Sequence, residues 1–117
     1  MNDSYGHIVG DRVLIDSAQL IQKTIRSTDI LGRYGGEEFL IIIQDTNKQE
    51  SMRVAERCRQ ALENHLHIID ENLKINVTCS IGVAISEQQM SVMSVLDHAD
   101  QALYEAKING RNQVCMA

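Results

Sequence analysis

Ile30-Leu31-Gly32-Arg33-Tyr34-Gly35-Gly36-Glu37-Glu38-Phe39-Leu40-Ile41-Ile42-Ile43 is the stretch on which the fold turns. Two β-prone runs, residues 30–34 and 39–43, flank a pair of glycines. Lacking a Cβ, glycine adopts the positive φ of a tight hairpin without a clash. The reading is a β-hairpin with Gly35-Gly36 at its tip and two carboxylates, Glu37 and Glu38, directly behind it. Leu40 to Ile43 are continuously apolar, which predicts a strand covered on both faces.

Working outward toward the N-terminus, Leu14, Ala18, Ile21 and Ile25 recur at four-three-four spacing. They predict a helix from Asp11 to about Ser27, its apolar face widened by Val13 and Leu20. Residues 1–10 read as loop. On the other side, Asn47 with Glu50 resembles a capping box, opening a second helix that runs to about Asn64 with Ala55, Cys58 and Leu62 inward. Ile75, Val77 and Cys79 alternate with Asn76, Thr78 and Ser80, predicting a half-buried strand that continues through residues 81–84. A third helix follows with Val92, Leu96, Ala99, Leu103 and Ala106 inward and Gly110 as its stop. Residues 114–116 form a short last strand. The order α-β-β-α-β-α-β is most of a split β-α-β-β-α-β arrangement, an α+β fold with helices packed on an antiparallel-rich sheet. What it lacks is a strand before the first helix. Sheet edges left open in this way predict self-association or strand exchange.

The 117 residues are one domain's worth of chain, with no proline and no low-complexity run to mark a linker. No stretch approaches the roughly 20 apolar residues of a membrane span, and the opening Met-Asn-Asp-Ser-Tyr has neither the basic nor the apolar region of a signal peptide. A cytoplasmic chain without membrane contact is expected. Eleven basic against sixteen acidic residues give a net charge of −5, so a phosphate backbone meets a repelling average surface. Three tyrosines and one phenylalanine are too few for a base-stacking platform, and nucleic acid is excluded as a partner. A locally basic site for a small nucleotide stays open. Cys58, Cys79 and Cys115 form no Cys-x-x-Cys pair and read as small buried thiols. His65 and His67, two apart beside a helix end, point apart on a helix and give no metal signature.

Chemistry concentrates at Gly35-Gly36-Glu37-Glu38-Phe39. Open backbone beside carboxylates suits Mg²⁺, which takes one or two protein oxygens together with phosphate oxygens and water. A solvated turn with charged flanks would have the same composition. Further motifs accompany it: Asn2-Asp3-Ser4-Tyr5-Gly6-His7 with Gly10-Asp11, then Arg26-Ser27-Thr28-Asp29, and Lys107-Ile108-Asn109-Gly110-Arg111-Asn112. Together, from Asn2 to Val114, the sequence resembles the GGDEF family, the diguanylate cyclase domains that condense two GTP into cyclic di-GMP.

The resemblance implies a palm-like, nucleotide-cyclase fold and a set of roles by position. Glu37 matches the family's metal ligand, for Mg²⁺ or Mn²⁺, and Glu38 is tied to the same metal and phosphate chemistry as a second catalytic residue. Gly35 and Gly36 match the tip lying against GTP, Asn2 and Asp11 the guanine-reading pair, and Lys107 and Arg111 the phosphate-binding pair. Arg26 and Asp29 match the inhibitory site for the product. A homodimer is implied, because each GTP is attacked by the 3′-hydroxyl of the other, and a sensor or receiver domain is implied upstream. Bland roles stay open beside these. Asp11 would also serve as a helix cap, and Arg26 and Lys107 sit in last turns where the helix dipole favours cations. The resemblance further implies a metal-binding aspartate on a strand before Asn2, where this chain has only Met1. The 117 residues alone are therefore expected to turn over GTP weakly or not at all. The alternative is a non-catalytic module that binds cyclic di-GMP or GTP for regulation.

Overall fold

A computed structural model describes residues 6–35, 38–87 and 89–117. Helix α1 spans Gly6–Thr24, the hairpin strands are β1 (Ile30–Gly35) and β2 (Glu38–Ile42), and α2 spans Lys48–Glu63. A second hairpin follows, β3 (His67–Asp70) and β4 (Leu73–Ile75), then β5 (Ile81–Val83), α3 (Val92–Ile108) and β6 (Val114–Met116). The fold is α+β. Helices α1 and α2 pack together over the hairpin, and Ile21, Ile25, Val54, Cys58 and Leu62 form the core between them. Leu31, Phe39 and Ile41 from the hairpin and Ile81 from β5 close it from the sheet side.

Antiparallel pairing of β1 with β2 sets Ile30 opposite Ile42 and Gly35 opposite Glu38, with an irregularity between Arg33 and Gly35. Each strand runs one residue nearer the tip than the apolar pattern predicts, so Gly35 is a paired strand residue. The prediction of a β2 covered on both faces fails, since Ile42 is 47% exposed. Only one face of this two-stranded ladder meets the helices. Instead of one continuous sheet, the described residues form three separate ladders, β1-β2, β3-β4 and β5-β6, the last of them parallel.

The first helix begins at Gly6, five residues before the predicted start, so residues 6–10 are helix rather than loop and Asp11 lies inside it. Asp11 is therefore not its cap. Of the predicted face, Ile21, Ile25 and Val13 are buried, while Leu14 and Ala18 are only half-buried and Gly10 and Ser17 are buried in the same stripe. Apolar counting misses Gly10 and Ser17, small residues on the face that meets the rest of the molecule. Helix α2 matches its expected limits. Asn47 caps it by accepting the Glu50 N–H at 2.8 Å, while the Glu50 carboxylate turns to Arg53. Only that half of the capping box forms.

The long strand predicted from Ile75 is broken. Residues 76–80 keep the alternation of exposed and half-buried side chains but pair with no described strand; β4 pairs with β3, and β5 with β6. In α3 the buried positions are Ala102 and Ala106, and Val92, predicted inward, is 75% exposed at the first position of the helix. Gly82 brings β5 against α3: a Cβ there would collide with the Ala99 carbonyl and the Leu103 backbone. Gly110 ends α3 as expected, with φ +118° and the Arg111 N–H returning to the Ala106 carbonyl at 2.9 Å. No helix among the described residues is long and apolar enough to cross a membrane.

Candidate functional site

The hairpin and the end of α3 converge. The Lys107 ammonium, in the last turn of α3, lies 3.8 Å from a Glu38 carboxylate oxygen at the start of β2. Both side chains are partly exposed, so the pair is loose and each end remains accessible to a ligand. A hard carboxylate oxygen next to an ammonium fits Mg²⁺ holding a polyphosphate. Gly36, Glu37 and Asn2 lie outside the described residues. Asp11 is exposed on α1.

Directly after Lys107 the backbone is unusual. Gly110, Arg111 and Asn112 take φ of +118°, +63° and +48° in succession, and Arg111 is exposed. A side chain such as Arg111 rarely adopts that conformation, which asparagine tolerates more readily. Here Asn112 is tied on several sides. Its N–H donates to Ser80 Oγ at 3.1 Å, its side-chain oxygen accepts from Arg59 at 2.9 Å, and its side-chain amide donates to Glu63 at 3.1 Å. Arg59 also grips Glu56 and Glu63, each at 2.7 Å. Hydrogen bonding to Glu56 and Glu63 keeps the guanidinium firmly charged. This brace was not legible in the sequence, because it joins α2 to a loop 53 positions further on.

Arg26 and Asp29 come together at the other end of the hairpin, where Ile30 begins β1. Five strand steps separate that end from Gly35, roughly 17 Å. The Asp29 carboxylate accepts the Arg26 backbone N–H at 2.8 Å and a guanidinium N–H at 3.1 Å, and Arg26 reaches the Gln44 carbonyl at 2.8 Å. Burial pushes the Asp29 carboxyl upward, but the bonds and charge of Arg26 outweigh it and hold the group below its ordinary 3.8. The Asp29 side chain is wholly buried, whereas Arg26 is partly exposed.

A third cluster joins α1 to β3. Asp16 Oδ2 lies 2.9 Å from His65 Nε2 and 2.6 Å from His67 Nδ1. The hydrogen bond with His65 holds the Asp16 carboxyl below its ordinary value, burial opposes it, and His67 adds to the lowering. The expected divergence of His65 and His67 fails because His67 is on a strand, where a separation of two keeps side chains on one face. Cys58 is buried, while Cys79 and Cys115 are half-buried, all as free thiols. Burial raises both Cys58 and Cys79, the latter pushed up to about 11, so neither is a thiolate near neutrality.

The geometry thus defines an α+β domain whose acidic hairpin meets the basic end of its last helix. Residues 1–113 match the family described as diguanylate cyclase, GGDEF domain, and the chain belongs to it. It is 44% identical over 118 residues to diguanylate cyclase A of Treponema denticola, covering 100% of this chain and 32% of that relative. Diguanylate cyclase SiaD of Pseudomonas aeruginosa, solved in complex with its activator SiaC, superimposes with a TM-score of 0.93 at 34% identity, over 99% of this chain and 44% of that one. The GGDEF domain of DgcB from Caulobacter crescentus, solved with c-di-GMP, gives 0.91 at 32% identity, over 98% and 68%. The chain spans about a third of the length of the curated relatives it matches.

Proposed function

We propose that these residues form the catalytic domain of an enzyme that condenses two GTP into cyclic di-GMP. What supports the reading is the meeting of Lys107 with Glu38, a cation and a carboxylate 69 positions apart in sequence yet 3.8 Å apart in space, at the hairpin of a GGDEF domain. Lys107 and Arg111 bind the triphosphate, the backbone at Gly35 and Gly36 lies close against it, and Asn2 and Asp11 read the guanine edge through complementary donors and acceptors. Glu37 would hold Mg²⁺ or Mn²⁺ with Glu38 beside it, and a bound ion would neutralise phosphate charge and polarise the attacked phosphorus.

The 3′-oxygen of one GTP attacks the α-phosphorus of the other, pyrophosphate leaves, and the hydroxyl proton passes to a base for which Glu38 is the candidate. Repetition closes the ring. Each substrate supplies the other's nucleophile, so two copies of the domain face each other, and an upstream sensor or receiver domain controls their approach. Catalysis rests on positioning and on stabilised phosphoryl charge.

A second reading, a module that only binds cyclic di-GMP or GTP, draws on Arg26, whose guanidinium is partly exposed and able to engage a guanine or phosphate. The two separate by assay. In the protein carrying this domain, cyclic di-GMP is followed by chromatography after addition of GTP and Mg²⁺. The cyclase reading requires synthesis that falls by about 100-fold or more in Glu37→Ala with far-UV circular dichroism unchanged. Undiminished synthesis in that variant overturns the assignment of Glu37. Tight cyclic di-GMP binding without any turnover replaces the enzyme reading by the module.

A further inference from the structure

Asp16, His65 and His67 have no part in the nucleotide chemistry, and they lie on elements about fifty residues apart in the chain. Their ligand atoms all fall within 4.8 Å of one another. Both imidazoles address the same carboxylate oxygen, and their rings meet edge to face at 4.7 Å between centroids. His67 is only 1% exposed, and its Nε2 has no hydrogen-bond partner. Its sole polar engagement is therefore at the point where the three groups converge. We propose that Asp16, His65 and His67 bind a divalent transition ion of the Zn²⁺ type.

The donor set is two nitrogens and one carboxylate oxygen, which suits Zn²⁺ and Co²⁺ and is wrong for Mg²⁺, whose preference is for oxygen. Ligand bonds of about 2.0–2.1 Å in a tetrahedron place neighbouring donor atoms about 3.3 Å apart. The present 2.6 and 2.9 Å separations need to open by about 0.7 and 0.4 Å to admit the ion. The Asp16 carboxylate gives the ligand set a charge opposite to the ion's, with Arg12 in the wall of the adjoining cavity. A cavity of about 370 Å³, lined by Asp16 and His65 together with Arg12, Gln19 and Ile68, adjoins the cluster and leaves room for water as a fourth ligand. Coordination through Nδ1 moves the His67 proton to the unpartnered Nε2. That limits affinity and favours a site filled by available metal over a permanent one.

The effect is a clip between α1 and β3, read as a gain in thermal stability. The test titrates the protein with Zn²⁺ alone, and separately with Co²⁺, in excess Mg²⁺ so that oxygen-only sites are already occupied. Expected are one equivalent of Zn²⁺ by calorimetry, a rise in Tm of several degrees, and visible Co²⁺ bands of tetrahedral intensity. His65→Gln changes a partly exposed side chain, and should weaken binding by about 100-fold and abolish the bands while the fold is kept. Asp16→Asn should do the same, and if that variant fails to fold, His65→Gln decides alone. Folded protein that neither binds Zn²⁺ nor gains stability overturns the proposal. So does Zn²⁺ binding equally tight in His65→Gln, which would place the ion elsewhere, at the thiols for instance.

Discussion

Asp29 illustrates how a residue of a sequence motif serves folding. Its buried carboxylate closes the turn between α1 and β1 by accepting the Arg26 backbone N–H and guanidinium. Any ligand that engages Asp29 must first compete with Arg26, whereas Arg26 itself is partly exposed. Removing the guanidinium in Arg26→Ala leaves a buried carboxylate short of partners, and we expect a loss of about 1–3 kcal/mol in urea unfolding. The pH dependence has a definite sign. The folded-state carboxyl titrates below its ordinary 3.8, so the unfolded chain takes up the proton first as the medium is acidified. The stabilisation from Asp29 is thus complete above that value and is lost as pH falls through the folded one. The stability gap between wild type and Arg26→Ala should be full near neutrality and shrink below pH 3.8. A gap unchanged by acid would mean that Asp29 does not carry it. In parallel, cyclic di-GMP affinity measured by calorimetry should fall in Arg26→Ala if this end of the hairpin is the product site.

Among the elements, those whose ends are written in local chemistry were legible in the sequence. Asn47 fixed the start of α2 and Gly110 the end of α3, and the two β-prone runs fixed the hairpin strands, with Gly35 paired inside β1. The inner face of α1 was legible only in part: Val13, Ile21 and Ile25 are buried as read, but Gly10 and Ser17 are buried for being small, a property that apolar periodicity does not count. The β3-β4 hairpin was missed since residues 64–72 carry no glycine or proline to mark its turn; Asp70 instead makes it, accepting the Asn72 N–H at 2.7 Å. Replacing Asn47 by Ala should cost about 1 kcal/mol, and replacement by Asp should restore it, checked by urea unfolding. Gly82→Ala tests the β5–α3 contact. The atoms its methyl would meet are backbone, which cannot rotate aside, so α3 must shift off the strand. A loss of about 1–3 kcal/mol is expected, with the greatest increase in amide exchange in α3. A neutral outcome would show that the helix docks less closely.

Across the whole molecule, the basic end of the candidate site is held by a device lying outside it. The motif pair Lys107 and Arg111 is visible in the sequence, but what aims Arg111 is not. Its left-handed backbone continues into Asn112, and Asn112 is braced by Ser80, Arg59 and Glu63 from β5's approach and from α2. Asparagine suits this position twice, by tolerating positive φ and by offering both a donor and an acceptor. Two substitutions separate those contributions. Asn112→Gly keeps the conformation and loses the side-chain bonds, whereas Asn112→Ala loses the bonds and adds the strain of a Cβ at φ +48°. Both should release Arg59 from the α3–β6 loop and weaken GTP binding, seen as a raised KM, through a less sharply aimed Arg111. Only the alanine variant should show the additional destabilisation of about 1–2 kcal/mol in urea. Equal stabilities of the two would mean that the loop relaxes out of the left-handed region. An unchanged KM in both would detach Arg111 from the brace and leave the Arg59 network a purely structural tie between α2 and the C-terminal strand.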